Sequence, residues 1–281
     1  MNPKIISYEK MHKGVFASGS VGSSILRAKW LVEAWPELTE WNHGDQADAL
    51  IFQKAYWLAM MKDYQGKKIL DLCDPDWMDN SLRLVETAEL VDAITCSNEG
   101  LTDFVKQSVK HIPVVTVPDR LNLDYFTNRK QHTGKATRVV YFGFKHNADI
   151  VLSQVLPSLA NLGLELLIVS NKAPSLVATY GVSIKYVKWD QSRAYQDIQF
   201  ADFAINPSFP NANFRYKSNN KTLVAWGLGL PVANQGHEME RFLDPAERTK
   251  EAALRWDEIK EHWDINLSVL QYKAILDDIK K

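Results

Sequence analysis

Lys217-Ser218-Asn219-Asn220-Lys221-Thr222-Leu223-Val224-Ala225-Trp226-Gly227-Leu228-Gly229-Leu230-Pro231-Val232 is the stretch from which the fold can be read. Ahead of it, Phe203-Ala204-Ile205-Asn206 is a short apolar run of strand character, and Pro231-Val232-Ala233 behind it is another. Lys221 to Leu228 has helical character between them. Ser218 and Asn219 are N-cap types, Gly229 suits the C-terminal end of the helix, and Pro231 prevents its continuation. Strand, helix and strand in that order predict a parallel βαβ unit.

The same rhythm extends in both directions. Toward the C-terminus, Pro245 to Lys281 reads as helix throughout. Toward the N-terminus, Arg138 to Gly143, Leu164 to Val169 and Val182 to Val187 read as strands, with helices at Ala148 to Leu162 and Ser192 to Phe200. Earlier still, strands are expected at Ala49 to Gln53, Lys68 to Cys73, Ala93 to Cys96 and Val114 to Val117. Helices are expected from Leu26 to Ala34, Tyr56 to Tyr64, Ser81 to Leu90 and Glu99 to Lys110, the last capped by Ser97. The polar stretch Asn128 to Thr137 interrupts the alternation and is the best linker candidate. The expected fold class is α/β: two Rossmann-like parallel domains facing each other across a cleft. Their boundaries are read as residues 1–134 and 135–250, with residues 251–281 as a helical segment bridging back to the N-terminal domain.

Composition narrows the function classes. The 281 residues are enough for two domains of ordinary size. Lys plus Arg (33) nearly balances Asp plus Glu (34), so a protein working along phosphate backbones is not indicated. Two cysteines build no disulfide framework, and no Cys/His spacing suits zinc. With no apolar leader and no long apolar run, a cytoplasmic protein without a transmembrane segment is expected. No G-x-G-x-x-G follows a strand, which disfavours a dinucleotide-dependent oxidoreductase. The quoted stretch is more specific. A helix start carries unpaired N–H groups and partial positive charge, and Arg215, Lys217 and Lys221 add three cations within seven residues. A diphosphate suits such a loop, although solvated lysines at a capped helix would look the same.

These segments resemble a compact GT-B glycosyltransferase of the large group 1 type that includes the family-four sugar transferases. There a loop, a short helix and a Gly-x-Pro-Val turn hold the nucleotide-sugar diphosphate. Here Lys217-Ser218-Asn219-Asn220-Lys221 is followed eight residues later by Gly229-Leu230-Pro231-Val232. Tyr141-Phe142-Gly143-Phe144-Lys145-His146-Asn147 resembles the first strand and loop of the donor domain, and Ala201 to Pro207 the strand before the donor loop. Val117-Pro118-Asp119 to Phe126 resembles the exit from the N-terminal domain. Gly22-Ser23-Ser24-Ile25-Leu26-Arg27 resembles the glycine- and serine-rich first loop facing the donor phosphates.

The resemblance implies a hexosyl- or pentosyltransferase, retaining and independent of a metal, with no cofactor besides a nucleotide-sugar donor, a UDP-sugar favoured. Lys217 and Lys221 are expected to stabilise the leaving diphosphate, with Lys145 as a second contact or a solvated strand-end residue. Asp74 is the polar group expected in the cleft, or else the cap of a turn before Pro75. Donor binding is expected from Ser23, Gly143, Asn147, Ser218, Asn219 and Asn220, and from Arg27, which is read equally as a helix-surface ion pair. Trp189 stacks on the base or fills the core, and His146 lies in the expected donor loop. The Glu-x7-Glu pair of many family members is replaced by Tyr216 and Val224, leaving Asn219 and Asn220 to supply part of its grip. The only Asp-x-Asp spacing, Asp74-Pro75-Asp76, falls in the acceptor half. The acceptor is open among a saccharide, a lipid-linked glycan and a modified nucleobase in DNA. A non-catalytic sugar-nucleotide-binding protein is the reading from another class.

Overall fold

The computed structural model describes residues 1–19, 21–76, 84–207 and 216–279. These form two compact units. Unit one holds residues 1–122, 216–218 and 263–279, and unit two holds residues 123–207 and 219–262. Arg215 and the start of the helix expected at Ser81 lie outside the described residues.

Unit one is built on a parallel sheet of β1 (Pro3–Ile6), β2 (Thr39–Glu40), β3 (Ala49–Gln53), β4 (Lys67–Leu72), β5 (Ala93–Cys96) and β6 (Val114–Thr116), in the order β2-β1-β3-β4-β5-β6. Every residue of β3 and β5 is buried, as expected for parallel strands covered on both faces. β1 was not among the expected strands. Pro3 opens it where no ladder N–H is needed, and its apolar content is only Ile5 and Ile6. The helix Tyr8–Lys13 follows it. The helix expected from Leu26 to Ala34 starts earlier, running as Gly22–Ser24, a π-helical segment Ile25–Lys29, and Trp30–Ala34. Asn98, not Ser97, caps the helix Glu99–Ser108, its side chain accepting from the Leu101 amide at 2.8 Å.

Unit two carries a second parallel sheet of β7 (Arg138–Gly143), β8 (Glu165–Ser170), β9 (Ile184–Lys188), β10 (Phe203–Ile205) and β11 (Val232–Ala233), in the order β11-β10-β7-β8-β9. Between β10 and β11 lies the helix Asn220–Gly227. It ends as the glycine and proline predict. Gly229, at φ 82°, lets its own amide reach Trp226 O and the Leu230 amide reach Ala225 O, the paired bonds of a Schellman turn.

Two boundaries differ from the sequence reading. The chain passes between units after Asn122, and the polar stretch 128–137 is bonded into unit two: Lys130 N donates to Leu228 O, and Ala136 N to Leu243 O. The C-terminal helix is also not continuous. It breaks at Trp263 into Pro245–His262 and Ile265–Asp278, because Leu121 exchanges hydrogen bonds with Trp263 and Ile265 and Asp264 caps the second helix. That second helix belongs to unit one, where the Tyr272 hydroxyl donates to Asp71 at 2.8 Å. Among the described residues no helix is long and apolar enough to cross a membrane.

Candidate functional site

Parallel sheets bind ligands beyond the carboxyl ends of their strands, where the strand order reverses. In unit two that point lies between β7 and β10, since the chain runs through β8 and β9 on one side and returns on the other. Gly143 ends β7 there with φ 142°, a conformation few residues other than glycine adopt. A Cβ on Gly143 would sit 2.8 Å from Lys221 Cε and 3.0 Å from its Nζ. The missing side chain is what admits the lysine.

Lys221 lies in the first turn of the helix Asn220–Gly227. Its ammonium donates to the Tyr141 hydroxyl at 3.2 Å and lies 4.8 Å from the centroid of that ring. Burial, with the Asp149 charge adding to it, raises the Tyr141 phenol above its ordinary pKa, so it stays neutral beside the ammonium. Asn219 occupies the N-cap position without a side-chain cap bond, although its residue type predicts one. Asn206, just past β10, donates to the Thr222 hydroxyl at 3.1 Å and ties the strand end to the helix start. A cation and a helix N-terminus therefore share one place at the sheet's carboxyl edge. That combination favours an anion.

The remaining unit-two candidates follow the same edge. Lys145 and Asn147 stand in the first turn of the helix Lys145–Leu162, not in a loop, because this helix begins three residues before the expected Ala148. The Lys145 amide donates to Asn171 at 2.9 Å, and its ammonium pairs with Asp149 one turn on. His146 is exposed beside them. Trp189 follows β9, half-buried, with its amide donating to Ser170 O at the end of β8. Gly143, Lys145, Asn147, Trp189, Asn219, Asn220 and Lys221 thus all lie at one end of one sheet.

Ser23, Arg27, Asp74, Lys217 and Ser218 belong to unit one. Its strand order reverses between β1 and β3, and Ser23 precedes Ser24, whose hydroxyl donates to Gln53 at the end of β3. Arg27 is not free to meet a phosphate. It is 5% exposed, and its guanidinium forks onto Asp71 at 2.8 and 2.5 Å and reaches Asp119 at 2.7 Å and Val117 O at 2.9 Å. Of its two expected readings this is an ion pair, buried within the unit and not on the helix surface. Tyr216, at one position of the missing acidic pair, is buried in stacking against Phe104.

Asp74 meets Lys54, a residue the sequence reading passed over, at 2.9 Å. Burial pushes the Asp74 carboxyl up, but Lys54 outweighs it and holds the group below its ordinary value, with Lys217 adding to the effect. The available signal for Lys54 was its place directly after the wholly apolar run of β3.

No protein-family model matches the sequence, and no curated protein matches it. Solved structures do. TarM aligns with a TM-score of 0.60 at 8% identity, over 87% of this chain and 55% of its own. An alpha-glucosyltransferase in complex with UDP and a 13-mer DNA aligns at 0.60 with 10% identity, over 83% and 80% of the two chains. HepE from Anabaena, in complex with UDP, aligns at 0.57 with 10% identity, over 82% and 79%. The chain spans 54–58% of the length of TarM, of a chain in the GtfA/B complex and of one in the Glycosylation Associate Protein (Gap123) complex from Streptococcus agalactiae. Two parallel α/β units, with strand order reversing beside each candidate edge, and agreement with these structures establish that the chain has the GT-B glycosyltransferase fold.

Proposed function

We propose that the protein transfers a sugar from a nucleoside diphosphate sugar to a hydroxyl-bearing acceptor in the cytoplasm, with a UDP-sugar as donor. The observation that carries this reading is the approach of Lys221 over Gly143, at the helix start beside the point where strand order reverses. Cleaving the sugar–phosphate bond leaves negative charge on the diphosphate and positive charge on the ring. A fixed ammonium and oriented N–H groups stabilise the first without reorganising. On the same sheet edge Lys145 supplies further positive charge, while Asn147, Asn219 and Asn220 offer polar contacts and Trp189 a face for the base. UDP is favoured because two of the similar structures were solved with UDP bound. Retention at the anomeric carbon and independence of a metal belong to the same proposal.

A hydroxymethylated base in DNA is a second reading of the acceptor, supported by the DNA held in one of the similar structures. The net charge of -1 weighs against it.

Incubation with UDP-glucose, with release of UDP as the readout, tests the proposal. Slow release is expected, and Lys217→Glu or Lys221→Glu should suppress it. Binding of UDP with no release from any UDP-sugar would leave a sugar-nucleotide-binding protein. Absence of nucleotide binding would remove both readings.

A further inference from the structure

A small cavity lies inside unit one, between the segment that follows β6 and the last helix, Ile265–Asp278. We infer that one resident water occupies it, donating to Asp119 and accepting from Ser268, and that this water ties the last helix to the segment through which the chain leaves the unit. The site is independent of the donor edge, since every residue lining it belongs to unit one.

The cavity measures about 10 Å³, the room that a single water needs. Arg27, Val117, Asp119, Arg120, Ser268 and Tyr272 line it, and the remaining lining residues are apolar. Two of these side chains are unfinished. Asp119 is 2% exposed; its Oδ1 accepts from Arg27 at 2.7 Å, and its Oδ2 has no hydrogen-bond partner among the described residues. Ser268 is 3% exposed; its Oγ accepts from Arg120 at 3.0 Å, which leaves the hydroxyl proton without an acceptor among the described residues. A buried acceptor and a buried donor on one cavity call for a partner, because each lost its hydration on folding.

The neighbouring side chains do not supply it. The Arg27 guanidinium is taken up by Asp71, Asp119 Oδ1 and Val117 O. The Tyr272 hydroxyl donates to Asp71 at 2.8 Å, and Arg120 bonds Gln271 at 2.6 Å besides Ser268. Charge decides what kind of partner fits. Arg27 and Arg120 balance Asp71 and Asp119, so the surroundings carry no net charge. A cation would sit against two guanidinium groups, and an anion against the Asp119 carboxylate. The occupant is therefore neutral, both donates and accepts, and is no larger than one oxygen with its hydrogens. Water meets all three requirements, and a buried water makes about two to four such bonds.

Its position gives the water a mechanical role. Leu121 exchanges hydrogen bonds with Trp263 and Ile265, and Arg120 bonds Ser268 and Gln271, so the two segments are already joined at consecutive residues. The water extends that seam by one residue, from Asp119 to Ser268.

A crystal structure of the whole chain that resolves ordered solvent is the direct test. A water oxygen within about 3.2 Å of both Asp119 Oδ2 and Ser268 Oγ is expected. Crystals soaked in rubidium bromide should give no anomalous peak at that position. In solution, ¹⁷O relaxation dispersion should count one long-lived water more in wild type than in Ser268→Val, whose methyl groups fill the space. Ser268→Ala keeps the space and loses one partner, so it should retain the water with a residence time roughly fivefold shorter, the effect of one neutral hydrogen bond. Absence of water at the site, an anomalous peak, Asp119 Oδ2 turned onto a protein donor, or equal water counts in wild type and Ser268→Val would each overturn the inference.

Discussion

Replacing Gly143 by alanine should uncouple the nucleotide from Lys221 while leaving the lysine in place. The new Cβ would lie 2.8 Å from Lys221 Cε and 3.0 Å from Nζ, closer than carbon tolerates. The far end of a lysine is flexible, so the ammonium moves away from the Tyr141 hydroxyl, now 3.2 Å distant. The backbone conformation itself, at φ 142°, costs alanine on the order of 1–3 kcal/mol. A charge-assisted hydrogen bond to phosphate contributes about 1.5–3 kcal/mol, so losing it weakens UDP binding roughly ten- to a hundredfold. Calorimetric titration with UDP measures this directly. Lys221→Ala should weaken UDP by a similar factor, and the double variant should bind no more weakly than Lys221→Ala alone, because both changes remove one interaction. Additive losses, or Gly143→Ala with unchanged affinity beside a weakened Lys221→Ala, would refute the role assigned to this approach.

Arg27→Met should destabilise unit one by about 3–5 kcal/mol, since Asp71 and Asp119 would be left buried beside an uncharged side chain. UDP affinity of the folded variant should match wild type, and a lost affinity at unchanged urea midpoint would restore Arg27 to the donor site. Tyr272→Phe removes the hydroxyl that joins the last helix to Asp71 and should cost about 1–3 kcal/mol, read as a lower urea midpoint. His132 accepts from Arg248 on Nδ1 and meets Gly229 O with Nε2, and burial lowers its pKa below 6.5. The unfolded chain then binds a proton that the folded state resists, so stability is full above pH 6.5 and declines as the pH falls below it. A urea midpoint lower at about pH 5.5 than at about pH 7.5 in wild type, on either side of the histidine range, with a smaller difference in His132→Asn, is the expected result.

What could be read from the sequence follows the range of the interactions involved. Ala49–Gln53 and Arg138–Gly143 announce themselves because a parallel strand buried on both faces is a continuous apolar run. The Gly229-Leu230-Pro231 turn is equally local, and Gly143 and Lys221 each sit at a strand or helix end that marks them. Arg27 stays open between its two readings in the sequence because its partner Asp71 is 44 residues away, and nothing within its own helix distinguishes a buried fork from a phosphate contact. Lys54 escaped for the same reason: its pairing with Asp74 is made across adjacent strand ends, and only the backbone turn at Lys54 brings them together. The break at Trp263 depends on hydrogen bonds to Leu121, far away in the chain, while the helical periodicity on either side is uninterrupted.

The central claim is that the edge built from Gly143, Lys221 and the start of the helix Asn220–Gly227 binds a nucleoside diphosphate sugar. A thermal-shift series with UDP, GDP, ADP and their glucose conjugates, run on wild type and Lys221→Glu, tests it most directly. Wild type should be stabilised by UDP and UDP-glucose, by about 2.7 kcal/mol at a ligand concentration a hundred times Kd. The charge-reversed variant should show no shift. No shift in wild type with any nucleotide at millimolar concentration, or an equal shift in Lys221→Glu, would contradict the account.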